Sequence, residues 1–127
     1  MAQVIVSTLM LLAMAMQGEV EILNNDEAAL AVYEVAMNRV RDDRFPDDLH
    51  TVLLEGFNGW RRIEGTPDAR YVRLACRALA GEHRWDHGGL YLLSWDDLME
   101  LGGVNQPPLK VYRNGRWAVY LFADWPR

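Results

Sequence analysis

The stretch Ala13-Met14-Ala15-Met16-Gln17-Gly18-Glu19 decides how the rest of the chain is read. Val4 to Gln17 is rich in Leu, Met and Ala, all strong helix formers. The run is apolar nearly all round, which calls for burial among other elements rather than a place on the surface. Glycine readily takes the left-handed conformation that ends helices, so the sequence predicts a helix over 4–17 that stops at Gly18. Glu19 then lies just past the C-terminal end. The helix dipole is negative there and works against an ionised carboxylate. An acid so placed is a candidate proton donor; the plainer alternative is an ordinary loop acid.

The same stretch raises a second question. Ala13-Met14-Ala15 has the small-x-small form of a signal-peptidase site. No Lys or Arg precedes it, and the apolar run is shorter than the about 20 residues a membrane span needs. A buried first helix is expected, with no signal peptide and no membrane insertion. The 127 residues suit one domain, 1–127, and half of them are hydrophobic. The net charge is −5, and the cations are twelve Arg and one Lys, scattered along the chain. Nucleic-acid binding needs a clustered positive surface, so it is not expected. Cys76 is alone, so it makes no internal disulfide, and its apolar neighbours suggest a buried thiol.

Downstream, Asp26 can cap a helix over 27–41, with Ala28, Ala31, Val32, Val35, Ala36 and Val40 on one face. Asn38-Arg39 adds two polar side chains near its end. Phe45-Pro46-Asp47-Asp48 opens a shorter helix that Gly56 ends. Residues 57–65 read as an exposed loop. Thr66-Pro67-Asp68 opens a helix to Ala80, its apolar face Val72, Ala75, Cys76 and Leu79. Leu90 to Leu93 is β-like, and Ser94-Trp95-Asp96-Asp97 caps a short helix to Leu101. Residues 109–113 and 116–122 flank Asn114-Gly115, a strong hairpin signal. These elements make an α+β domain, mainly α, with a small C-terminal β-hairpin.

The order and spacing of several of these residues resemble the SleB-like cell wall hydrolases. The residues are Gly18-Glu19, Ala31 to Val40 ending in Asn38-Arg39-Val40, Phe45-Pro46, Val52, Phe57, Thr66-Pro67, Ala75 to Gly81 and Gly89-Leu90-Tyr91. The resemblance covers roughly residues 9–95. It implies a lysozyme-like single domain related to lytic transglycosylases, with Glu19 as the catalytic acid. The chain departs from the family pattern in three places. Leu23 stands where a second Glu is common, the linker after it is one residue longer, and Gly115-Arg116-Trp117 lacks the family's His.

The implied reaction is cleavage of the β-1,4 bond between N-acetylmuramic acid and N-acetylglucosamine in peptidoglycan glycan strands. Water-using lysozymes generally employ a second carboxylate. A transglycosylase needs one Glu, as acid and then base, because the sugar's own 6-hydroxyl attacks. Glu21, Asp26, Glu27 and Glu55 are the candidates for a second carboxylate, and spacing singles out none. Tyr91, Phe57, Asn38 and Trp60 are the expected substrate-binding residues, each with a packing or helix-end role as its alternative; Asn38 and Arg39 together are candidates to brace the cleft floor, a solvated helix end being the equal alternative. Trp85 and Trp95, in polar or glycine-bearing segments, are further sugar-stacking candidates. His83 and His87 have a zinc-like spacing, but the flanking glycines argue against a shared helix face, so no metal and no cofactor are expected.

Three functional classes remain. The first is a glycan-strand-cleaving enzyme, reaching the wall as a phage endolysin or a virion-borne lysin, with phage virion or lysis components as partners. The second is a non-catalytic peptidoglycan-binding or structural module, for instance in a phage particle. The third is a small acidic interaction domain, in which Glu19 lies away from any cleft.

Overall fold

Ser7 caps the first helix by accepting the Met10 N–H on its hydroxyl, and α1 spans Thr8–Val20. The computed structural model describes residues 6–82 and 86–127. The two-histidine reading needs His83, and the further sugar-stacking reading needs Trp85; both residues lie outside the described ones. Helix α1 is central, as its all-round apolarity requires. Leu11, Leu12, Ala13, Ala15, Met16 and Val20 are all at or below 1% exposure. Each large side chain so buried contributes about 1.5–3 kcal/mol. Around α1 pack α2 (Asp26–Val40), α3 (Leu49–Gly56), α4 (Ala69–Leu79) and a 3-10 turn at Gly59–Arg62.

The first correction falls on the opening stretch. Gly18 does not end α1: the helix runs through Gly18 and Glu19 to Val20 and tightens into a 3-10 turn at Glu21–Leu23. It stops at Asn24, whose φ of 47° is left-handed. Asparagine tolerates that conformation because its short polar side chain bonds locally.

Other boundaries shift by local capping chemistry. Asn25, not Asp26, caps α2, taking the N–H of Glu27 at 2.8 Å and of Ala28 at 3.2 Å. Asp26 is left to pair with Arg70 at 2.7 Å. Helix α3 starts after Asp48, whose carboxylate accepts the Thr51 N–H, so Phe45-Pro46 lies ahead of it. Helix α4 starts after Asp68 rather than at Thr66-Pro67. Its buried face is Tyr71, Leu74, Ala75 and Ala78, one residue round from the expected stripe. Cys76 is exposed, against expectation, and so is Leu79. A tyrosine ring buries more surface than valine or cysteine, and placing Tyr71 inward rolls the helix.

The sheet has three antiparallel strands in the order β1-β3-β2: β1 Tyr91–Ser94, β2 Lys110–Asn114 and β3 Trp117–Phe122. The predicted hairpin is present, but Asn114 pairs with Trp117, so Gly115-Arg116 forms the turn, with Gly115 at φ 58°. The β-like run joins it as an edge strand, Tyr91 opposite Phe122. Between the two stands α5 (Trp95–Leu101), opened by the expected Ser94 capping box with Asp97. Tyr112, Val119 and Leu121 face the helical core. Ala118, Tyr120 and Phe122 face the other way, forming a smaller core with Leu98 of α5. The architecture is α+β and mainly helical, with a small antiparallel sheet. No helix among the described residues is long and apolar enough to cross a membrane.

Candidate functional site

Gly18 is needed for a close approach. A Cβ on Gly18 would lie 1.9 Å from the carbonyl oxygen of Gly59, and one on Gly59 would lie 2.5 Å from the carbonyl carbon of Gly18. The two backbones touch, which only paired glycines permit here. That contact holds the turn at Gly59–Arg62 against the last turn of α1, where Glu19 projects.

Glu19 is half-buried. Its Oε1 accepts the backbone N–H of Gly59 at 2.8 Å and of Asn58 at 3.1 Å. Among the described residues Oε2 has no hydrogen-bond partner. One oxygen is therefore fixed by two donors and the other is available. Neighbouring bonds pin the same helix end. The Gln17 side chain joins the Asp68 N–H at 2.8 Å to the Glu21 carboxylate at 2.9 Å.

Arg39 of α2 lies close enough to interact with Glu19 electrostatically. It is only 8% exposed, and its guanidinium sits over three rings: Phe45 at 5.0 Å, Tyr91 at 5.1 Å and Phe57 at 5.2 Å. Nε donates to the Leu90 carbonyl and Nη1 to the Gly56 carbonyl. Burial pushes its pKa down from the usual arginine value, and the Tyr91 and Glu19 side chains oppose that shift. Cation–π contacts and carbonyl acceptors are what a desolvated guanidinium needs.

The expected binding residues fall at different depths. Tyr91 and Phe57 meet at Arg39, for which the sequence leaves a cleft-floor brace and a solvated helix end equally open. Phe57 is buried at 6% exposure, so its ring serves the core and Arg39. Tyr91 is half-buried, with the Trp125 ring edge-on at 5.3 Å. Asn38 braces the segment before β1, donating to Asp86 and to the Gly89 carbonyl, both at 3.0 Å. Trp60 packs against the main core with Arg61 over its ring, and its Nε1 is buried with no hydrogen-bond partner among the described residues. Trp95 is exposed, on α5. Of the candidate second carboxylates, Glu21 bonds Gln17, Asp26 pairs with Arg70, and Glu27 and Glu55 are exposed.

Glu34 went unremarked in the sequence and is the deepest carboxylate described, 3% exposed. It faces His87 Nδ1 at 3.1 Å and accepts the Gly89 N–H at 3.3 Å. The signal that finds it is helical spacing. Glu34 sits three residues after Ala31 and four before Asn38, a lone acid beside the apolar stripe of α2. Among the described residues no group of three His, Cys, Asp or Glu side chains is placed to hold a metal ion. Comparison of the chain with protein-family models, with curated proteins and with solved structures gives no significant match.

Proposed function

We propose that this chain cleaves peptidoglycan glycan strands at the β-1,4 bond between N-acetylmuramic acid and N-acetylglucosamine, as a lysozyme-like lytic transglycosylase. The observation that carries the reading is Glu19. Its carboxylate ends a buried central helix, with Oε1 held by two backbone N–H groups and Oε2 uncommitted. Fixed geometry at the reacting group is what general acid–base catalysis requires. The resemblance to SleB-like hydrolases assigns the same residue.

In this scheme Oε2 carries the proton. It passes to the glycosidic oxygen as the bond to C1 of the muramic sugar breaks. The 6-hydroxyl oxygen of that sugar bonds to C1, and the Glu19 carboxylate takes the hydroxyl proton. The products are a 1,6-anhydro end and a free 4-hydroxyl, and Glu19 is returned protonated. No second carboxylate is required, in keeping with Leu23 and with the dispersal of Glu21, Asp26, Glu27 and Glu55. Arg39 is a positioning residue, a buried positive charge near Glu19 held by aromatic rings.

The test is release of muropeptides from purified sacculi, read by mass spectrometry, with Glu19→Gln as control. Anhydro-muropeptides that disappear in the variant are expected. Release that persists in Glu19→Gln overturns the assignment, and reducing ends alone refute the single-Glu scheme. One observation favours a second reading. The same two hydrogen bonds make Glu19 a clip between helix and turn, which a non-catalytic wall-binding or phage structural module also needs. Sacculus binding with no release at any pH supports that reading.

A further inference from the structure

The face of the sheet turned away from the helical core carries a pocket of about 270 Å³, lined by Trp95, Arg113, Arg116, Ala118 and Tyr120. Its chemistry differs from that around Glu19. Trp95 is 51% exposed at the start of α5, and its ring lies 6.5 Å from that of Tyr120, tilted by 39°. Ala118 pairs with Arg113 across β2 and β3, and its short side chain leaves depth between the rings and the cations. The Arg113 guanidinium lies 5.8 Å from the Tyr120 ring and that of Arg116 lies 4.7 Å from the Trp117 ring. Stacking orients a guanidinium while leaving its N–H edge free for a planar anion. Among the described residues neither arginine pairs with a carboxylate, although the protein is acidic overall.

We propose that this pocket is a binding site for a carboxylate-bearing saccharide, separate from Glu19. Two arginines donate to one carboxylate, and the open Trp95 ring, backed by the buried Tyr120, offers an apolar surface for the face of a sugar ring. The surroundings select against a denser anion. Asp96, Asp97 and Glu100 are exposed on α5, the helix that Trp95 opens. They repel a nucleic acid or polyphosphate, which carries charge at every unit, more than a glycan with one carboxylate per disaccharide. The site does not depend on Glu19 being catalytic, and its ligand is held rather than cleaved.

The experiment is an NMR titration of the full chain, following the Trp95 indole N–H and the Arg113 and Arg116 Nε signals. The probes are N-acetylglucosaminyl-N-acetylmuramic acid, a glucuronate-containing disaccharide, neutral chitobiose, inorganic phosphate and a short oligonucleotide. Both carboxylated sugars are expected to shift these signals, the tighter one identifying the source, with chitobiose at least about fivefold weaker. Arg113→Gln with Arg116→Gln, both at exposed positions, weakens binding about tenfold, as loss of a charge-assisted contact should. Glu19→Gln leaves it unchanged. Equal binding of chitobiose, unaltered affinity in the double variant, or tighter binding of the oligonucleotide overturns the proposal. Saturation by phosphate alone means an adventitious ion only and overturns it too.

Discussion

Glu19 and Glu34 are two glutamates on neighbouring helices, each accepting hydrogen bonds from backbone N–H groups of a glycine-bearing segment. Glu19 receives Asn58 and Gly59 on one oxygen and keeps the other. Glu34 spends both: Oε1 on His87 and Oε2 on Gly89. Their burial differs accordingly, half-buried against 3% exposed. Two carboxylates of the same chemistry are thus sorted by how much hydrogen-bonding capacity the fold consumes. A buried acid with both oxygens engaged is a structural tie, because removing it strands its donors. An acid with one oxygen left over can still exchange a proton with a ligand.

The sharpest way to break the comparison is to neutralise each acid and ask which property falls. Glu19→Gln keeps an oxygen for Gly59 and Asn58, so the thermal midpoint should move little. Under the proposed function, sacculus cleavage should fall by about 10²–10⁴-fold. A large drop in melting temperature with activity retained would reverse the roles assigned to the two residues.

Next in size is Gly18→Ala. The added Cβ meets the backbone carbonyl of Gly59 at 1.9 Å, so the turn must move away from α1. The expected loss is about 3 kcal/mol, at the upper end for overpacking, because backbone rather than a flexible side chain stands in the way. The N–H groups of Asn58 and Gly59 then leave Glu19, and hydrogen exchange at these two amides should rise with the loss. Protection that stays at the wild-type level would show that the glycine contact does not hold the turn.

Glu34→Ala should cost about 1–3 kcal/mol, the price of a buried donor left without its acceptor. Chemical denaturation measures it. The effect on cleavage is expected to follow stability alone, disappearing at temperatures well below the midpoint. A cleavage defect that persists in the fully folded variant would give Glu34 a functional role.

What the sequence revealed followed from how local the cause was. The Ser94 capping box and the Asn114-Gly115 hairpin are determined within a few residues, and both are present, the turn displaced by one. Gly18 was legible as special but not for the right reason. Its role depends on Gly59, distant in the chain, and helix termination is what a lone glycine ordinarily signals. The sequence leaves Arg39 open between a cleft-floor brace and a solvated helix end because Phe45, Phe57 and Tyr91, the rings that bury it, come from three other segments. Cys76 and Tyr71 competed for the inner face of α4, and periodicity alone cannot decide between stripes one residue apart. The pocket at Arg113 and Arg116 was hidden for the same reason as Arg39, since Trp95 reaches it from another element.

The smallest expected effect lies at the edge of the Glu34 cluster. Tyr112 is 3% exposed on the core face of β2, and its pKa is pushed up to about 12 by burial first and by the charges of Glu34 and Glu27 second. A raised folded-state pKa means that the fold prefers the neutral phenol. The stabilisation is complete below the unfolded value near about 10 and is lost as the pH rises toward the folded value. The loss is at most about 2.7 kcal/mol for the two pH units, and smaller after solvent screening. Denaturation midpoints taken from neutral pH into this alkaline window should fall in the wild type and fall less in Tyr112→Phe. Tyr71, raised by burial in the same direction, accounts for part of the remaining slope. Glu34→Gln should fall between the two, since it removes one of the charges that disfavour the phenolate. Identical slopes in the wild type and in Glu34→Gln would separate Tyr112 from Glu34, leaving burial and Glu27 to keep the phenol neutral.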